Sequence, residues 1–96
     1  MATVSFSARA LADLDRLFEF IAEHDPARTR AVQRIVDVTR ILRDHPLIGR
    51  PVRGEIRECV ISSGRTGYVA LYRLRSGVAR VEILTIRHQR EAGYRD

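Results

Sequence analysis

At His45-Pro46 the spacing of apolar residues changes, and that change constrains the fold more than any other feature of the chain. Upstream, apolar residues recur at helical spacing: Leu11, Leu14, Leu17, Phe18, Ile21 and Ala22, then Ala31, Val32, Ile35, Val36, Val38 and Leu42. Each set draws one apolar stripe on a helix. Downstream the pattern alternates. Tyr68, Ala70, Tyr72 and Leu74 stand opposite Val69, Leu71 and Arg73, and Val81, Ile83 and Thr85 stand opposite Glu82, Leu84 and Ile86. That is the period of a strand, whose side chains point to the two faces in turn.

The punctuation between these segments sets their order. Val4 to Phe6 reads as a short strand, and Ser7 offers an oxygen to cap the helix that runs from Ala8 to about Glu23. Asp25 caps a second helix, with Pro26 at its first position, where a missing N–H removes no helical hydrogen bond. That helix runs to about Arg43 and stops at His45-Pro46, because a residue before proline avoids helical angles. Leu47 to Gly54, with Gly49, Pro51 and Gly54, reads as a loop. Strands are expected at Ile56 to Ser62, Tyr68 to Leu74 and Ala79 to Ile86, with turns at Ser63 to Gly67 and Arg75 to Gly77. The expected order is β-α-α-β-β-β over residues 1–96 as one α+β domain, a helix hairpin packed on one face of a small, mainly antiparallel sheet. Asp13, Asp15 and Glu19 are expected on the solvated side of the first helix. Phe20 and Ile41 fall off the stripes.

The 96 residues suffice for one modest core, and a hydrophobic share of 45% is too high for a disordered chain. No apolar run nears the roughly 20 residues that span a bilayer, and Met1 to Phe6 lacks the basic-then-apolar form of a signal peptide. The expected location is therefore cytoplasmic. Cys59 is the sole cysteine, which excludes an intramolecular disulfide and reads as a small apolar strand residue. The net charge of +5 lies wholly in the second half: seven arginines meet seven carboxylates in residues 1–49, while ten meet five in residues 50–96. Every cation other than histidine is arginine, whose planar fork suits carboxylate and phosphate. Such a half-domain calls for an acidic partner.

No motif in the chain demands a metal or a cofactor. His24, at a helix end, and His45, before a proline, have no zinc-ligand spacing with His88. Gly64-Arg65-Thr66-Gly67 does not open a helix and so reads as a hairpin turn, not a phosphate loop.

Four pieces in sequence carry a family resemblance: Ala8-x-x-Leu11-x-x-Leu14 leading to Phe18-x-x-Ile21; His45-Pro46-Leu47-Ile48-Gly49-Arg50; the pair Ile56 to Ile61 with Gly67 to Arg73; and Val81 to Arg90. In this order and spacing the chain resembles the ParE/RelE toxin superfamily of type II toxin–antitoxin systems along nearly its whole length. The resemblance implies a toxin neutralised by a cognate, ParD-like antitoxin. That antitoxin would lay a helix and an acidic extended arm on an open surface, with Phe20 and Ile41 as contacts. ParE-like members inhibit DNA gyrase; RelE-like members are ribosome-dependent messenger ribonucleases. A third reading is an inactive antitoxin-binding module.

Cleaving RNA at a 2′-hydroxyl needs a base, an acid and cations for the phosphate charge. Arginine supplies only the last, because it stays protonated. The strand Val60-Ile61-Ser62 carries no basic residue, and Val69 follows Gly67-Tyr68 where nuclease members tend to have arginine. These departures favour the ParE-like branch. The nuclease alternative would use His88, Tyr94, Arg73 and Arg87, with Glu91 as a further base. For a gyrase-binding toxin, the expected target contacts are Arg65, Arg73, Arg87, His88 and Arg90.

Overall fold

The computed structural model describes residues 2–21, 26–62 and 68–88. Its elements are β1 (Thr3–Phe6), α1 (Ala8–Ile21), α2 (Pro26–Asp44), β2 (Arg50–Arg53), β3 (Ile56–Ser62), β4 (Tyr68–Arg75) and β5 (Arg80–His88), with a short 3-10 turn at Ser76–Val78. The five strands form one sheet in the order β1-β5-β4-β3-β2. The β2–β3, β3–β4 and β4–β5 pairs are antiparallel, and β1 joins β5 in parallel. The expected α+β class stands, with one strand more than the spacing predicted. Arg50–Arg53 extends the sheet as its outermost strand. All four of its residues are exposed, so no apolar alternation announced it, and an edge position tolerates Pro51.

Several of the expected start and stop signals operate as read. The Ala10 N–H donates to the Ser7 hydroxyl at 3.0 Å, which caps α1. Pro26 opens α2, and the helix ends at Asp44, one residue before His45-Pro46. Asp25 and the turn at 63–67 lie outside the described residues.

One face of the sheet makes the core. Ile35, Val38 and Leu42 of α2 pack with Ala70, Tyr72 and Leu74 of β4 and with Val81, Ile83 and Ile86 of β5. Helix α1 departs from its expected stripe. Ala10 is fully buried and Leu14 partly so, while Leu11 is 51% exposed. Asp13, expected in solvent, is only 7% exposed. Helix α1 packs against β5 on this side, where Ala10 is buried and the Asp13 carboxylate accepts from the Ile86 N–H.

Candidate functional site

The sheet face turned away from the helices brings two of the expected contact residues onto one surface. Its side chains fall into cross-strand rows: Ile56, Arg73 and Glu82; then Glu58, Leu71 and Thr85; then Val60, Val69 and Arg87. Arg73 and Arg87 are thus on the same face, two rows or about 14 Å apart along the strands. The row between them holds Glu58, Leu71 and Thr85, and the row of Arg87 itself adds Val60 and Val69. Val60 is 53% exposed, and Val69 beside it is 1% exposed although it lies outside the main core. Arg50 ion-pairs with Glu58 at 2.8 Å, and that carboxylate holds the guanidinium pKa above its ordinary value.

Arg87 reaches this face through an irregularity. Simple alternation groups Thr85 with Val81 and Ile83, but the β4–β5 register runs Tyr72 to Ile83 and then Leu71 to Thr85, leaving Leu84 as an extra residue. Such a bulge exchanges the two faces for everything beyond it. Ile86 therefore joins Ile83 in the core, and Thr85 and Arg87 cross to the open face. The exchange happens just past the end of β1, where the outer edge of β5 loses its strand partner. Helix α1 and its cap supply substitutes. The Ser7 hydroxyl donates to the Leu84 carbonyl at 2.8 Å, and the Ile86 N–H donates to Asp13 Oδ2 at 2.9 Å. Asp13 Oδ1 ion-pairs with the exposed Arg16. Sequence reasoning missed this role for Asp13, whose partner is a backbone amide 73 residues away.

The segment between α2 and β2 is pinned from below. The buried Tyr72 hydroxyl donates to the Pro46 carbonyl at 2.7 Å and accepts from the Gly49 N–H at 2.9 Å. Arg57 donates to the carbonyls of Gly49 at 2.7 Å and Leu47 at 3.2 Å. A Cβ at position 49 would sit 2.6 Å from the Tyr72 oxygen and 2.7 Å from the Glu58 carbonyl, so glycine is required there for space. Burial pushes the Tyr72 pKa up, partly opposed by the Gly49 hydrogen bond.

Between α2 and β3 lies a second candidate surface, a groove of about 530 Å³ floored by Val38, Cys59 and Ile61. Ile41, 39% exposed, lines it together with Ile48 and Val60, and its charged lining is Arg34 and Arg50 with Asp37 and Glu58. Burial raises the Cys59 thiol pKa and so disfavours its thiolate. Of the other expected site residues, the backbone of His88 ends β5 in register with Tyr68, and Phe20 lies in α1. The side chains of both are outside the description, as are Arg65, Arg90, Glu91 and Tyr94 entirely. Among the described residues no group of three His, Cys, Asp or Glu is placed to hold a metal, and no helix is long and apolar enough to cross a membrane.

Residues 4–93 match the family model described as the ParE toxin of the type II toxin–antitoxin system parDE. The chain belongs to the ParE toxin family. Within the wider ParE/RelE superfamily, this ParE-family toxin is 34% identical to Toxin RelE3 of Caulobacter vibrioides over 92 residues, spanning 95% of this chain and 98% of that protein. Its fold matches a structure of the chromosomal ParDE system from P. aeruginosa with a TM-score of 0.68 at 24% identity, covering 92% of this chain and 96% of the other. It also matches the Mycobacterium tuberculosis RelBE2 toxin–antitoxin complex with a TM-score of 0.51 at 23% identity, covering 91% and 90% of the two chains. The ParE-family toxin is thus a type II toxin by family, with relatives named on both sides of the ParE/RelE divide.

Proposed function

We propose that this toxin acts by binding DNA gyrase through the open face of its sheet, without catalysis of its own. The observation that carries the reading is the make-up of that face. Val60 and Leu71 are its accessible apolar side chains, over the buried Val69, and Arg50, Arg73 and Arg87 share the face with them. Apolar side chains interspersed with arginines suit a protein surface, where arginine is enriched and the core of the contact is apolar. Phosphodiester cleavage asks for something different, a base and an acid converging on one point. On the described part of this face the acidic groups are Glu58, held by Arg50, and Glu82, in register with Arg73.

The test is gyrase supercoiling and cleavage with purified toxin, beside a Val60→Glu variant. Wild type is expected to inhibit at micromolar excess, and the variant to lose inhibition while keeping its fold. Untouched gyrase, together with an early collapse of translation on induction, would overturn the reading in favour of the messenger-ribonuclease chemistry of RelE-like members.

We further propose that a ParD-like antitoxin with an acidic C-terminal arm neutralises this toxin, seating apolar side chains at Ile41 in the α2–β3 groove. The apolar floor of the groove suits a partner's apolar side chains; its polar lining is balanced, with Arg34 and Arg50 beside Asp37 and Glu58, so the acidic arm is expected to meet arginines of the second half beyond it. Ile41→Asp is expected to weaken the complex on a sizing column; an unchanged complex would move the contact elsewhere.

A further inference from the structure

We propose that Ser7 and Asp13 form a clasp that holds the Leu84 bulge and thereby positions Arg87 on the open face, which makes Asp13 a positioning residue for target inhibition. The inference rests on reading the open face as the target-binding surface. It is carried by three observations. First, the side-chain parity of β5 inverts at Leu84, and without that inversion Arg87 would point toward the helices and Ile86 away from them. Second, the inversion lies past Phe6, where β1 ends and β5 would present unpaired backbone groups. Third, those groups are met by two side chains only six residues apart in sequence: the Ser7 hydroxyl on the Leu84 carbonyl and the Asp13 carboxylate on the Ile86 N–H.

A bulge leaves its ladder locally broken, and regular pairing is its obvious competitor. Regular pairing here would move Thr85 and Arg87 inward, so the apolar side chain of Ile86 resists it from one side and the clasp from the other. Asp13 contributes more than a generic contact would. Its second oxygen is bound by Arg16, which fixes the carboxylate so that Oδ2 faces the Ile86 amide. Ser7 serves twice, accepting from Ala10 to start the helix and donating to Leu84 to hold the bulge, so the start of α1 and the bulge in β5 are set by the same atom.

The experiment compares Asp13→Ala, Asp13→Asn, Ser7→Asp and Arg87→Ala for growth inhibition on induction without antitoxin, and for amide hydrogen exchange in the purified proteins. Asparagine keeps an acceptor for the Ile86 N–H. Aspartate at position 7 keeps a capping oxygen for Ala10 but brings no proton to the Leu84 carbonyl. Arg87→Ala is expected to lose most inhibition and Asp13→Ala to lose it at least about tenfold, with Asp13→Asn largely restoring it. Ile86 exchange in Asp13→Ala should rise by roughly tenfold to a hundredfold, the scale of one hydrogen bond to a charged group, with Ile83 unchanged.

Full toxicity of Asp13→Ala with a loosened Ile86 amide would overturn the proposal. So would a loss of toxicity accompanied by faster exchange throughout the core, which is a merely structural effect, or full toxicity of Arg87→Ala. Should Asp13→Ala fail to fold, Ser7→Asp decides: its loss of inhibition supports the clasp and its full toxicity removes it. Growth inhibition presupposes no particular target, so a wild type that inhibits growth but spares gyrase would sink the gyrase reading and leave this comparison intact.

Discussion

The two faces of the sheet are made by the same strands, yet they answer to different constraints. The face under the helices holds Ala70, Tyr72, Leu74, Val81, Ile83 and Ile86, all buried, and the Tyr72 hydroxyl both donates and accepts a hydrogen bond. The open face mixes Val60, Leu71, Thr85, Arg73, Arg87 and Glu82 around the fully buried Val69, and the side chains of its middle row are packed without being sealed. Packing density fixes the first face, so each residue there is constrained in volume. The second is constrained mainly in which residues appear on it, and that is settled by register. One extra residue at Leu84 decides that an arginine and not an isoleucine faces outward.

Volume changes should separate the faces most widely. Ile83→Ala removes a side chain that is 1% exposed and is expected to cost roughly 2–5 kcal/mol, the range for large-to-small changes in a core. Val60→Ala on the open face should stay within about 0.5 kcal/mol. Urea denaturation of both variants checks this, and a Val60→Ala cost matching that of Ile83→Ala would show the open face to be packed as a core.

The next effect is at Gly49. A methyl there meets the Tyr72 ring carbon at 2.7 Å as well as its oxygen, and the Glu58 carbonyl backbone behind it. Gly49→Ala is expected to cost about 1–3 kcal/mol, as overpacking does. Removing the hydroxyl with Tyr72→Phe should restore little, because the ring carbon and the carbonyl remain. A double-mutant cycle measures this, and near-complete rescue would mean that the oxygen alone makes the clash.

Tyr72→Phe by itself leaves the Gly49 N–H without its acceptor and the Pro46 carbonyl without its donor. The expected loss is about 1–3 kcal/mol. It also carries a pH signature. The folded phenol titrates above its ordinary 10.0 because burial disfavours the anion, and Cys59 likewise titrates above 9.0. A raised acid of this kind contributes stability that is whole below the unfolded pKa and is lost as pH rises through the folded one. Stability should therefore fall above about pH 9, first through Cys59 and then through Tyr72. The phenylalanine variant should keep the first part of that loss and lack the second. An identical alkaline limb in both proteins would remove Tyr72 from the account.

These contrasts also explain what could be read from the sequence. Ser7, Pro26 and His45-Pro46 act within a few residues of themselves, so the helix starts and the second helix end were legible. Ile35, Val38 and Leu42 lie on a stripe that holds whatever lies opposite, and they are core residues. Arg50–Arg53 was not legible, because an edge strand flanked by Gly49 and Gly54 and containing Pro51 has the composition of a loop. The bulge was hidden for a different reason. Alternation from Val81 and Ile83 runs on to Thr85 without a glycine or proline to mark Leu84 as an extra residue. Beside the burial of Ile86, the contacts at the bulge come from Ser7 and from Asp13, on a helix whose polar side looked solvated, reaching backbone groups far along the chain. Arg73 and Arg87 were picked out by charge alone, and their shared face depends on that choice of register.

Thr85 gives the finest test of the contrast between faces. Its hydroxyl is buried on the open side and makes no hydrogen bond, whereas the buried Tyr72 hydroxyl on the helix side makes two. An unsatisfied buried hydroxyl costs free energy, and a methyl of the same shape does not. Thr85→Val is therefore expected to raise stability by up to about 1 kcal/mol, a few degrees in melting temperature for a chain of this size. If the free protein is stabilised while growth inhibition on induction falls, the hydroxyl is held unpaired for a partner, and the open face is specified in polar detail as well as in register. If stability rises and inhibition is unchanged, the Thr85 hydroxyl plays no part in what the face recognises. A destabilised Thr85→Val would mean that the hydroxyl already has a partner in solution, and the contrast with Tyr72 would be lost.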